Sequence, residues 1–369
     1  MEGGVFPAQT IRDFIQRNII HSYLKIHPSQ VQPSTLDLRA GRRAWRVPAS
    51  FLVTSSKSVQ DKIKEYGEAA YLLDLSAQCF MEMGKTYVIE LAEEFRLPPH
   101  IQARSNPKSS SGRIDVFVRL ITEHGDTFDT IPAGYNGKTY LILFSNSFDL
   151  LIKEGVALNQ VRFFVRGDYI LSTNELKMLY SRDPLIFTKE SKAIPVEHVT
   201  IAEDGLFLTL DLDDNVVGYR SKRNTGPIDL TKLKHHPWAE YWEKIPGPRG
   251  KGLILDPHYF YLLKSKERVA IPIDFAAEMV PFHSGIGEFR SHYAGFFDPA
   301  FGFGKRGEIK GSCAVLEVRM RDLPMQVHDG QKFVKLVYER MIAKPDIAYG
   351  VDIKSHYQSQ GLRLSKHFV

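Results

Sequence analysis

The chain has 369 residues, 43% hydrophobic and 25% charged, a balance that fits a folded protein with material for two cores and excludes a disordered or fibrous one. No apolar run reaches bilayer-spanning length, and Met1 to Phe6 lack a cationic stretch followed by an apolar one, so neither secretion nor membrane contact is expected. Two distant cysteines, Cys79 and Cys313, offer neither a disulfide framework nor a zinc knuckle, which makes a reducing cytoplasm the expected setting. The net charge of +5 is too slight to imply nucleic acid but suits a small anionic ligand.

In chain order, the first predicted element is an amphipathic helix with Ile11, Phe14, Ile15 and Ile19 on one face and Thr10 as its cap. Arg39 to Arg46 is the densest basic run, predicted as the solvated face of a hairpin. Strands follow at Tyr87 to Leu91, Ile114 to Leu120 and Tyr140 to Phe144, each short, rich in β-branched or aromatic residues and bounded by turn formers. Lys108-Ser109-Ser110-Ser111-Gly112-Arg113 reads in two ways: a flexible serine-rich turn, or a cradle of hydroxyls and N–H groups that holds phosphate between two cations.

Beyond a polar join at Lys189 to Pro195, the pattern repeats. Thr35-Leu36-Asp37-Leu38 recurs as Thr209-Leu210-Asp211-Leu212, the segments opening at Leu73-Asp74 and Leu255-Asp256 echo each other, and looser echoes follow in the same order. Two units are expected, 1–190 and 191–369, the second carrying an insertion over about 220–252 that is broken by prolines and free to form an oligomer interface. His235-His236 inside it, with no further ligand at metal spacing, reads as surface polarity.

The later half holds Ala294-Gly295-Phe296-Phe297-Asp298-Pro299-Ala300-Phe301 and the strand Ala314 to Arg319, in which Glu317 stands among apolar neighbours. Alternation alone leaves Glu317 facing either solvent or the interior. An inward carboxyl, stripped of water, titrates closer to neutrality, where proton transfer needs it. The tail, with Tyr349, His356-Tyr357-Gln358-Ser359-Gln360-Gly361 and Ser365, reads on composition as a polar and aromatic arm.

Placed in order, these pieces resemble the dCTP deaminase branch of the dUTPase-like superfamily in a double-length form. Gln32 to Arg39 resembles its opening segment, Lys108 to Arg113 its S-S-x-x-R motif, Ala294 to Phe301 its A-G-[FW]-I-D-P-G-F motif, and the tail its Y…K-Y-Q-G-Q…S lid. The resemblance implies a mainly β fold: two tandem dUTPase-like β-barrel repeats, of the β-clip or jelly-roll kind, with a few short helices. It also implies a site shared between barrels. The first half keeps Ser109, Ser110 and Arg113 but has Leu143 where the glutamate belongs; the second keeps Ala294, Asp298 and Glu317 but has no S-S-x-x-R around Pro281 to Gly287.

On that resemblance, Glu317 is the general acid/base for water attack at C4 of cytosine, and Ser109, Arg113 and the Ala294 carbonyl hold the water and amino group. Lys108, Ser109 and Ser110 contact the triphosphate, with Mg²⁺ bridging its oxygens and no zinc. Asp298 fixes deoxyribose and base, and Tyr349, His356 and Gln360 close over the phosphates. Three departures stand out: His356 replaces the lid lysine, with Lys354 nearby, Lys108 replaces an arginine, and Ala300 replaces a glycine. The activity expected is dCTP to dUTP and ammonia, supplying dTMP synthesis. Its rivals are a bifunctional enzyme that continues to dUMP and a non-catalytic nucleotide-binding regulator. Monomer and homo-oligomer both remain open.

Overall fold

The computed structural model describes residues 3–54, 56–248, 250–281, 289–290, 295–353, 358 and 361–369. Among these, no helix is long and apolar enough to cross a membrane. The chain is mainly β, as its short, alternating, turn-bounded segments require.

In the first half, the long strand Leu36–Val47 pairs with Thr86–Arg96 at one end and with Ala157–Val165 at the other. It bends between them where the register shifts between Ala40 and Ala44. Gly41 permits that close approach, because a Cβ there would lie 2.7 Å from the Glu90 carbonyl oxygen. One sheet thereby wraps around a core that includes Leu38, Ile89, Leu141 and Phe163.

The same pairings recur in the second half. Thr86–Arg96 pairs with Asn136–Ser145 as Phe260–Val269 pairs with Ser312–Met320. Ile101–Pro107 pairs with Ala157–Val165 as Phe275–Pro281 pairs with Lys332–Arg340. A second core, with Leu206, Leu263, Leu316 and Leu336, lies inside these later strands. Helix Thr173–Arg182 packs on this core through Leu176, Leu179 and Tyr180, and the expected join at Lys189 to Pro195 follows it in the chain.

Local expectations met mixed outcomes. The first helix spans Ala8–Gln16 with Pro7 at the N-cap position and no side-chain cap, so Thr10 lies inside the first turn and does not cap it. Ile19 falls beyond the helix end yet is still buried. The strand expected from Ile114 begins at Val116, because the serine-rich segment before it is helical. Arg39 to Arg46 lies in a strand whose Arg42 and Arg43 are exposed, but Arg39 turns inward to the buried Glu93 carboxylate at 2.7 Å.

Part of the insertion packs within the chain. Ile228–Asp229 adds in parallel to Leu150–Ile152 of the first half, and Tyr241 and Trp242 pack on Phe148 with ring centroids 5.9 and 5.5 Å apart. It also grips the C-terminus: His236 N–H donates to His367 O, and Val369 N–H donates to His236 O, both at 3.0 Å. His236 is therefore buried, not surface polarity. Its Nε2 accepts from Asp229 N–H at 3.0 Å, and burial pulls its pKa down. The core of the first half runs on through Trp242, Phe260 and Phe368, so the two halves share apolar side chains.

Candidate active site

Ser109–Gly112 forms a single helical turn, the ordered alternative to a flexible loop. Two anchors hold it to the neighbouring strand: Lys108 N–H and Ser111 Oγ both donate to Leu158 O, at 3.0 and 2.9 Å. Ser110, Ser111, Gly112 and Arg113 are buried. The Lys108 ammonium, expected on phosphate, forms an ion pair with Asp37.

Glu317 sits in the Ser312–Met320 strand, in register with Leu262 of the adjacent strand, and is only 2% exposed. It points inward, and what it meets is the serine turn of the other half. A Cβ built on Gly112 would lie 2.6 Å from the Glu317 carboxyl carbon, closer than real atoms approach. Glycine stands at position 112 for space alone, since its backbone is helical. No sequence pattern marked Gly112. Its adjacency to an acidic partner exists only after folding.

The Asp-Pro segment lies along the same seam. Gly295 N–H donates to Asn106 Oδ1 at 2.6 Å, two residues before Lys108, and Gly295 O accepts from Met279 N–H at 2.7 Å. Asp298 is buried, and its Oδ1 accepts from Ser34 N–H at 3.1 Å and Ser34 Oγ at 2.5 Å. Arg162 braces the same corner by donating to Ser34 Oγ, Phe297 O and the Glu339 carboxylate, with its guanidinium 4.2 Å from the Phe296 ring centre. Burial raises the Asp298 pKa, while Arg162 and the Ser34 hydrogen bonds oppose the shift. Asp298 thus joins the halves through Ser34, a contact its motif did not announce.

Ala300 stands at φ 75°, the left-handed region, where a glycine would be unstrained. The alanine costs about 1 kcal/mol there. Beside it, Gln358 accepts from Gly302 N–H at 3.0 Å and donates to Ala300 O at 3.2 Å, and the Tyr349 ring rests 5.6 Å from that of Phe301. The tail then crosses to the first half, where Ser365 Oγ donates to Ser110 O and Arg113 Nη1 donates to Arg363 O, both at 2.8 Å. The segment read as an arm is docked on the serine turn. Ala294, Lys354, His356, Gln360 and the stretch 282–287 lie outside the described residues.

Residues 2–168 match the family model for the N-terminal domain of 2'-deoxycytidine 5'-triphosphate deaminase (DCD), and residues 172–368 match that for its C-terminal domain. A "dCTP deaminase, dUMP-forming" of Methanobrevibacter smithii is 32% identical over 116 residues, 30% of this chain and 55% of that protein. The protein of the same name from Methanosphaera stadtmanae is 28% identical over 164 residues, 42% of this chain and 76% of the relative. The crystal structure of 2'-deoxycytidine 5'-triphosphate deaminase from Agrobacterium tumefaciens superposes with a TM-score of 0.86 at 37% identity, covering 95% of this chain and 99% of that one. With both domain models matched in tandem and that structure matched along nearly its whole length, the chain belongs to the 2'-deoxycytidine 5'-triphosphate deaminase family.

Proposed function

We propose that this protein hydrolyses dCTP at C4 of the cytosine, with the reacting groups drawn from both halves of one chain. The observation that carries this reading is the Glu317 carboxyl packed over Gly112, inside the turn that presents Ser109 and Arg113.

Glu317 takes a proton from a water as that oxygen attacks C4, and passes it to N3. The C4–N bond of the tetrahedral intermediate then breaks. Glu317 shuttles the new hydroxyl proton to the departing amine, so that uracil and ammonia form and the carboxylate is restored. Ser109, Arg113 and the Ala294 carbonyl orient the water and the amino group, and burial between the halves excludes bulk solvent. Ser109 and Ser110 meet the triphosphate, joined by Lys108 if its Asp37 pair opens, while Asp298 supports the sugar through the Ser34 corner. Tyr349, His356 and Gln360 complete the lid. Among the described residues no group of three His, Cys, Asp or Glu side chains is placed to hold a metal ion; Mg²⁺ carried in by the substrate triphosphate would offset phosphate charge beside Ser109, Ser110 and Lys108.

A second reading has the same site continue to dUMP and pyrophosphate; two relatives, both named dUMP-forming, favour it. Incubation with dCTP and separation of products tests both. Ammonia with dUTP supports simple deamination, and ammonia with dUMP and pyrophosphate supports the bifunctional reading. Glu317→Gln should bind dCTP without releasing ammonia, and Arg113→Ala should lose turnover although it lies in the other half. Normal turnover by Glu317→Gln would refute the assignment.

A further inference from the structure

Two residues past Glu317, Arg319 projects to the same side of its strand, because successive strand side chains alternate. Its guanidinium meets Asp115, two residues past Arg113 on the opposing segment. Nε donates to Asp115 Oδ1 at 3.3 Å and Oδ2 at 3.1 Å, and Nη2 also reaches Oδ2. Ser147 completes the cluster, accepting from Arg319 Nη2 at 2.9 Å and donating to Asp115 Oδ2 at 2.6 Å. Arg319 Nη1 reaches Pro257 O at 3.4 Å, which ties the strand to its own half as well. Asp115 is fully buried at φ 59°, a conformation aspartate adopts more readily than most residues.

Glu317 over Gly112 and Arg319 on Asp115 are consecutive rungs of one seam. A forked guanidinium gripping a carboxylate fixes distance and angle together. Buried pairs add little net stability, because desolvation offsets their attraction, so a geometric role accounts for this one better than a stabilising role.

We infer that Asp115 and Arg319 are positioning residues that set the height of the Glu317 carboxyl above the Ser109 and Arg113 groups. This inference rests on the acid/base reading of Glu317. Displacing a reacting group by 1 Å costs roughly 100-fold in rate, which is the scale of effect expected here.

The test uses the full chain with dCTP and compares Arg319→Lys, Asp115→Asn, the double variant Arg319→Met/Asp115→Asn, and Glu317→Gln. Arg319→Lys keeps the charge but loses the fork, and its kcat should fall at least about tenfold while KM stays within about threefold. The double variant leaves no buried charge unpaired. It should keep a melting temperature close to that of the parent yet show the same kcat loss, which a purely stabilising role would not produce. Full kcat in the folded Arg319→Lys and double variants, beside an inactive Glu317→Gln, would overturn the inference. So would a change confined to KM. Turnover by Glu317→Gln would instead overturn the acid/base reading, and this inference with it.

Discussion

The carboxyl group of Glu317 occupies the space that a side chain at Gly112 would need. An acid from the later half is therefore fitted against a backbone surface of the earlier half, with no room for a single methyl group between them.

Gly112→Ala follows directly. Helical backbone at this position accepts alanine, so the turn should persist, but the new Cβ must push the Glu317 carboxyl aside. The expected result is a folded protein whose kcat is down by ~100-fold, since the proposed acid/base group is moved by about an ångström. Circular dichroism with steady-state kinetics checks this; unchanged kcat would mean that Glu317 sits elsewhere during catalysis.

Trp242 tests the join between the halves. It is fully buried against Phe148 of the first half and against Phe260 and Phe368 of the second. Trp242→Ala should cost about 3–5 kcal/mol in denaturant unfolding. It should also make the C-terminal residues more accessible to carboxypeptidase, since Phe368 loses one of the rings it packs on. Wild-type resistance to the peptidase would show that the tail's remaining contacts, among them the pairing to His236 and the Ser365–Ser110 hydrogen bond, secure it without Trp242.

The third prediction concerns pH. His367 Nδ1 lies 2.9 Å from Lys232 O, and burial pulls its pKa down from 6.5 to about 4. The folded value lies below the unfolded one, so docking favours the neutral ring. The contribution is fully present above pH 6.5 and is lost as pH falls from there toward about 4. Its full size is on the order of 3 kcal/mol. His367→Asn keeps a donor without a titrating ring, and unfolding free energies between pH 7.5 and 4.5 should fall less steeply for it. Parallel slopes for the two proteins would remove His367 as the source.

The candidate residues were legible in the sequence because they stand in short, compositionally distinct segments, and the fold packs two of those segments together, Glu317 against Gly112. Two serines and an arginine in one turn, an Asp-Pro pair and a lone acid in an apolar strand are each visible in local residue order. Misreadings came where tertiary contact overrode local polarity. Composition placed His236 on the surface, but the fold buries it against Tyr241 and the C-terminus. Composition also made the tail an arm, yet Ser365 is fastened to Ser110.

Taken alone, the chain's residue order determined the β-rich architecture and the division of serine turn and glutamate between two halves. Alternation along Ser312–Met320 established that Glu317 and Arg319 share a face, because strand periodicity is a local property. Folding decided what covers that face. Asp115 and Arg319 are 204 positions apart, and Ser34 and Asp298 are 264 apart. Neither partner carries a local mark of the other, since buried charges and hydrogen-bonding groups find their complements only when packing removes water from both.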